Sequence, residues 1–335
     1  MKRVLFVRLG AIGDVVNALI VATALKQARP DVTIGWVVHP LALPLVEGHP
    51  AVDLVHVWKR GGGFAGVRAI VRELRDADYD TAVDLQRLAK SAFLARASGA
   101  ARVIGYDRAR TKESSWLLTK ERVAAGDRSA HMIEQYLEVA RHLGCSGEAK
   151  RELPPAHEAE GQVAEWFAGF DRAPIQINLG ASKPANRWAP ERFGKLAAHI
   201  VDELETPVFF TGAPNERDLA EKALAVCGNS KLVMDLVGKT SLPELWSASR
   251  CARLFIGCDT GPMHLAAAVG TPVLALFGPA ASRRTGPFGD GHRIVQTSPP
   301  CAPCGLKHCN QPRHACMEDL TVSMVRDRVT KEIPQ

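Results

Sequence analysis

Aromatic side chains are scarce, at 6% of 335 residues, and the basic stretches are not interleaved with them. Single-stranded nucleic acid is held by stacking platforms of that kind, so a zinc-containing nucleic-acid binder stays only as an alternative, and no nucleic-acid partner is expected. No stretch approaches the ~18 consecutive apolar residues of a spanning helix. Val7 is followed at once by Gly10, Gly13 and Asp14, not by the apolar core of a signal peptide, and the expectation is a cytoplasmic protein. The loop Gly10-Ala11-Ile12-Gly13-Asp14 lacks the three spaced glycines of a dinucleotide fingerprint. Asp-Thr-Gly occurs once, at the head of a helix pattern, which speaks against an aspartic protease.

What remains is an ordinary globular composition, 46% hydrophobic and 23% charged, with a length that suggests two domains. The net charge of +6 favours anionic partners without choosing among phosphate-bearing lipid, nucleotide and nucleic acid. Eight cysteines without a secretory signal point to thiols or a metal site, and four of them cluster near the C-terminus.

Short apolar runs at 2–8, 33–38, 54–57 and 81–85 alternate with helix-period segments, as in a parallel sheet with crossover helices. A polar stretch with Pro154 and Pro155 intervenes, with a helix expected over 162–167. The alternation then resumes with strands at 174–179, 207–211, 231–235, 253–257 and 273–277. This reads as an α/β chain of two Rossmann-like domains, 1–165 and 166–335, with the binding site expected in a cleft between their sheets.

The loops that follow the strands carry the chemistry. Asp14 ends the first strand-loop step, where a carboxylate serves either as a first-turn partner of helix amides or as a general base. Cys258-Asp259-Thr260-Gly261-Pro262-Met263-His264 leads from a buried strand into a helix whose amides suit a diphosphate, with Thr260 and His264 adding donors. Ser182, Lys183 and Arg187 lie on a loop that reads as a phosphate cradle, or as ordinary surface cations. Glu216 follows the next strand, placed to bond a sugar hydroxyl or to cap a helix.

In this order the loops resemble glycosyltransferase family 9, the lipopolysaccharide heptosyltransferases, over nearly the whole chain. The resemblance rests on Gly10 to Asp14, Asp84-Leu85-Gln86 with Lys90-Ser91, Gly180-Ala181-Ser182 with Arg187-Trp188, Gly212-Ala213-Pro214, Asp259-Thr260-Gly261 with His264, and Phe277-Gly278-Pro279. It is nearest the heptosyltransferase I type. It implies a GT-B fold with acceptor on the N-terminal half and ADP-heptose on the C-terminal half, inverting transfer to the Kdo region of lipid A, and no catalytic cofactor. Asp14 is then the base, while Arg187, Thr260, Gly261 and His264 contact the diphosphate. Asp259 and Glu216 contact the nucleotide-sugar, and Thr240 joins the donor set. Asn186 stands where many relatives have lysine, leaving Lys183 to supply that charge. A different core-sugar transferase or a nucleotide-sugar epimerase is the alternative within the fold.

Ten cations against four acids between 86 and 128 suit an anionic lipid-linked acceptor at the inner face of the inner membrane, or a solvated basic face. Lys59, Arg60, Gln86, Lys90 and Lys112 are the acceptor candidates, with Lys59 and Arg60 opening a glycine-rich lid. The expected state is a monomer. Cys301, Cys304, Cys309 and Cys316 have spacing compatible with zinc or an iron-sulfur cluster, or with resting thiols.

Overall fold

The computed structural model describes residues 1–59, 61–124, 126–145 and 151–332. It divides into two compact units, Met1–Pro155 and Ala156–Gln335. In the first, strands β1 (Arg3–Val7), β2 (Thr33–Val38), β3 (Leu54–Val57), β4 (Thr81–Asp84), β5 (Arg102–Tyr106) and β6 (Glu121–Val123) form one parallel sheet in the order β3-β2-β1-β4-β5-β6. Its helices are α1 (Ile12–Ala28), α2 (Gly63–Asp76), α3 (Ala89–Ala97) and α4 (Met132–His142).

The second unit repeats the plan. Strands β7 (Ile175–Asn178), β8 (Val208–Thr211), β9 (Val233–Asp235), β10 (Leu254–Cys258), β11 (Val273–Phe277) and β12 (Arg293–Gln296) run in the order β12-β11-β10-β7-β8-β9. Its helices are α5 (His157–Phe167), α6 (Pro190–Leu204), α7 (Arg217–Cys227), α8 (Leu242–Cys251), α9 (Gly261–Ala268), α10 (Ser282–Thr285), α11 (Ala315–Glu318) and α12 (Val322–Glu332).

The central strands read as largely apolar runs because helices cover both faces of a parallel sheet. β1, β4, β7, β8, β10 and β11 are buried along nearly their whole length. α1 is apolar almost all round, with buried residues from Gly13 to Leu25, as befits a helix enclosed by its unit. β5, β6 and β12 are absent from the sequence reading. β6 and β12 are edge strands with mostly uncovered side chains, and β12 shows the solvent three of its four residues.

The division falls ten residues before the expected one, at Pro155/Ala156 in place of 165/166. α5 explains the difference. It buries Val163 in a cluster with Phe209, Leu236 and Ala248 of the second unit, and Arg250 of α8 holds its Glu160 at 2.7 Å. No described helix is long and apolar enough to cross a membrane.

In both units the strand order reverses beside the first strand, between β1 and β4 and between β7 and β10. Loops at the carboxyl ends of those strands line the crevice where open α/β sheets bind ligands. The sequence motifs fall on these loops.

Candidate active site

In the first unit, β1 runs into Arg8, whose side chain is buried. Asp14 occupies the first turn of α1, where the helix dipole favours a carboxylate. The helix is capped by Ala11 without a side-chain hydrogen bond, so Asp14 is not the cap. Its carboxylate pairs with the Arg8 guanidinium and stays 44% exposed. It is therefore held from behind and open in front. Burial works against the charge on Arg8, yet Tyr136, Asp14, Tyr106 and Asp84 together hold the guanidinium above its ordinary range.

At the end of β4, Asp84 is buried, and its Oδ1 accepts from the amides of Gln86 at 2.9 Å and Arg87 at 3.1 Å. That turn carries Arg87 into the left-handed region, at φ 66°. Gln86 Oε1 accepts from the Leu9 amide at 2.7 Å, which ties the β4 loop to the β1 loop. The Lys112 amide donates to the Arg87 carbonyl at 2.9 Å. Lys90 is half-buried on α3, while Lys59 is exposed beyond β3, the edge strand. Asp14, Gln86 and Lys112 are thus linked through neighbouring loops. Lys59 is not, and Arg60 lies outside the described residues.

The count of cations between 86 and 128 overstates the surface charge. Arg87 and Arg110 are buried, and Arg102 is engaged by Glu121 at 3.0 and 2.7 Å.

Burial pushes the Asp84 carboxyl up to about 6, against the pull of Ser91, the Gln86 and Arg87 amides and Arg8. A carboxyl raised by folding contributes stability below its ordinary range, and that contribution is lost as pH rises through about 6. A shift of this size corresponds to roughly 3 kcal/mol. Asp84→Asn keeps an oxygen acceptor and removes the charge, so its melting temperature gains on the wild type by roughly 5 °C between pH 4 and pH 7. Parallel melting curves across that range would remove Asp84 from this role.

In the second unit, the loop after β7 reaches Asn186 and Arg187. Asn186 is buried, and its Nδ2 donates to Asp259 Oδ2 at 3.1 Å, joining the β7 and β10 loops. Arg187 Nε donates to the Ala181 carbonyl at 3.1 Å, and its Nη2 lies 3.5 Å from Glu216 Oε1. Glu216 is buried after β8, with Oε2 accepting from the Ala213 amide at 2.8 Å. A Cβ on Gly180 would stand 2.0 Å from that carboxylate, so only glycine admits it. Thr260 is the N-cap residue of α9 but makes no side-chain cap bond, and Gly261 and Pro262 form the first turn. His264 is buried on the same helix. Asp259, Asn186, Arg187 and Glu216 are thereby connected around the ends of β10, β7 and β8.

Three expected donor residues sit differently. Ser182 is exposed on the β7 loop. Lys183 Nζ donates to the Gly305 carbonyl at 2.9 Å, which fastens the cysteine-rich segment. Thr240 precedes the Ser241 cap of α8, past the edge strand β9.

Cys301, Cys304 and Cys309 are exposed on a segment without helix or strand, and Cys316 is buried on α11. All four are free thiols lining one cavity of about 200 Å³ with His314. Burial pushes the Cys316 thiol up to about 11, and the other three thiols add to the shift. Among the described residues no group of three or more His, Cys, Asp or Glu side chains is placed to hold a metal ion, and of the readings left open for this cluster the structure shows free thiols. The segment is fastened by hydrogen bonds instead: besides Lys183 to Gly305, the Ala185 amide donates to Lys307 at 3.1 Å and the Gly305 amide to Pro279 at 2.7 Å.

Arg8, Asp84 and Arg87 were missing from the candidate list, as was the bond from Asn186 to Asp259. Asn186 was noticed only as a departure from a family pattern. A signal for Asp84 was present in its motif, but nothing in the sequence separates a buried arginine from a surface one.

Two Rossmann-like units, each with ligand loops at its switch point, are the GT-B architecture of nucleotide-sugar glycosyltransferases. The chain belongs to glycosyltransferase family 9 (heptosyltransferase), whose family model matches residues 67–314, and it is a glycosyltransferase. It is 29% identical to lipopolysaccharide heptosyltransferase 1 of Pseudomonas aeruginosa, over 92% of this chain and 87% of that protein. It is 27% identical to the lipopolysaccharide core heptosyltransferase OpsX of Haemophilus influenzae, over 88% and 84% respectively. The structure of the E. coli ADP-heptose lps heptosyltransferase II superposes with a TM-score of 0.81 at 20% identity, covering 99% of this chain and 98% of that one.

Proposed function

We propose that this enzyme transfers heptose, with inversion, from ADP-L-glycero-D-manno-heptose to the Kdo/inner-core region of lipid A in lipopolysaccharide core biosynthesis. The observation that carries the reading is the Asp14 carboxylate, solvent-facing, seated in a helix first turn and backed by a buried arginine. Relatives named as lipopolysaccharide heptosyltransferases support the substrate class.

In this reading the first unit binds acceptor and the second binds donor. Asp14 takes the proton of the acceptor hydroxyl as that oxygen attacks the anomeric carbon, and ADP departs in the same displacement. Negative charge growing on the diphosphate meets Arg187 and the amides at the head of α9, with Thr260 and His264 beside them. Asp259 and Glu216 hold sugar or ribose hydroxyls, positioned by Asn186 and Arg187. Lys59, Lys90 and Lys112 face the anionic acceptor, and the protein works as a monomer on the inner face of the inner membrane.

The test is incubation of the purified chain with ADP-heptose and Kdo-lipid A, followed by mass analysis of lipid and nucleotide. The expected result is one added heptose per lipid with stoichiometric ADP. Isomerised ADP-heptose, or free heptose released without acceptor, would replace this reading with an epimerase or hydrolase.

A further inference from the structure

Two buried arginines stack on the same ring in the first unit, and only one of them is fully bonded. The Arg110 guanidinium lies 5.0 Å from the Tyr106 ring centre and is matched by Asp107, Glu138 and the Val123 and Ala124 carbonyls. Arg87 lies 3.8 Å from that ring centre and is 9% exposed, yet among the described residues the one hydrogen bond given for its guanidinium runs from Nη1 to Gln135 Oε1, at 2.9 Å. Its Nε and Nη2 are buried without a partner. These two atoms form the side edge of the guanidinium, whose parallel N–H groups match the two oxygens of a carboxylate or phosphate.

Further unpartnered donors occur in the same unit. Arg8 Nε and Tyr136 Oη are also buried without a hydrogen bond. Tyr106 and Tyr136 each lie within electrostatic reach of both Arg8 and Arg87. Buried polar groups in native proteins are nearly always bonded, and a buried charge without a counter-ion is costly, so a group of orphaned donors marks a place for a missing acceptor. The backbone points the same way: a non-glycine residue held in the left-handed region is strained, and such strain persists where the surroundings fix it. Arg87 is fixed by the Asp84 carboxylate at its amide and by the Lys112 amide at its carbonyl.

We propose that Arg87, together with Arg8 and Tyr136, forms an oxyanion subsite that grips a carboxylate or phosphate of the acceptor beside Asp14. The inference rests on the first unit being the acceptor side. Arg87 anchors the anion through its Nε–Nη2 edge, while Arg8 serves both the anion and Asp14, so the acceptor is held with a hydroxyl presented to the base. The chemistry is shared by a sugar acid and a phosphate monoester.

Two measurements test it. In transfer kinetics with Kdo-lipid A, Arg87→Met raises the acceptor KM by on the order of 10- to 100-fold, the loss expected for a charge-assisted pair of hydrogen bonds, while the KM for ADP-heptose stays within about twofold. Arg87→Lys, which keeps the charge and loses the fork, falls between them. In thermal melts without nucleotide-sugar, free Kdo and inorganic phosphate are added separately. The anion that raises the wild-type melting temperature and not that of Arg87→Lys identifies the carboxylate or the phosphate as the ligand.

An Arg87→Met enzyme with wild-type acceptor KM overturns the subsite. So do melts in which neither anion distinguishes wild type from Arg87→Lys, whatever the baseline stability of the variants. Because the melts use no ADP-heptose, Arg87-dependent anion binding in a chain that transfers no heptose would refute the donor reading and leave the subsite standing.

Discussion

Asp14→Ala lowers turnover by ~10²- to 10⁴-fold, the usual worth of a positioned general base, while the dissociation constant for ADP changes by less than about twofold. The carboxylate's structural tie is the pairing with buried Arg8, so melting curves run beside the kinetics separate lost stability from lost chemistry. It does not cap α1, and it is partly open to solvent. Its partner among the described residues is Arg8, which is also anchored elsewhere, with Nη1 3.5 Å from the Leu85 carbonyl and its own carbonyl accepting from Trp36 Nε1 at 3.1 Å. Removing the carboxylate therefore leaves the β1 loop in place and takes away the proton acceptor. Single-turnover kinetics with Kdo-lipid A and ADP binding by calorimetry separate the two effects. Turnover retained within about threefold would dismiss Asp14 as the base.

Arg187→Ala is expected to lower kcat by ~10²- to 10³-fold, since a preorganised group aimed at developing charge acts mainly in the transition state. Two contacts hold the guanidinium in place, the Ala181 carbonyl and the Glu216 carboxylate, and its side chain remains 36% exposed toward an incoming anion. Glu216 is itself seated by the Ala213 amide in space that Gly180 leaves free. The variant loses one pole of this arrangement and leaves Glu216 without its cation. Steady-state assays over both substrates decide the matter. A change confined to the acceptor KM would place Arg187 outside donor chemistry.

Much of the architecture could be read from the sequence because parallel strands buried on both faces are mostly apolar, the buried Gln176 of β7 being hydrogen-bonded to Thr211 and Ser249. The runs at 33–38, 54–57 and 273–277 correspond to β2, β3 and β11 residue for residue. β6 and β12 escaped because their few covered positions leave no pattern to read. The domain boundary was misplaced because the proline-rich stretch looks like a linker, whereas ownership of α5 depends on which sheet Val163 meets.

The sequence by itself determined the two βα repeats, the loops that carry function and the family to which they belong, since turn residues and apolar periodicity are local properties. Tertiary structure decided which charges are paired and which are orphaned. It turned Lys183 toward Gly305, set Asn186 on Asp259, and enclosed Arg87 against Tyr106 with one edge unsatisfied. Desolvation and hydrogen bonding act between residues distant in the chain, and no local pattern records them.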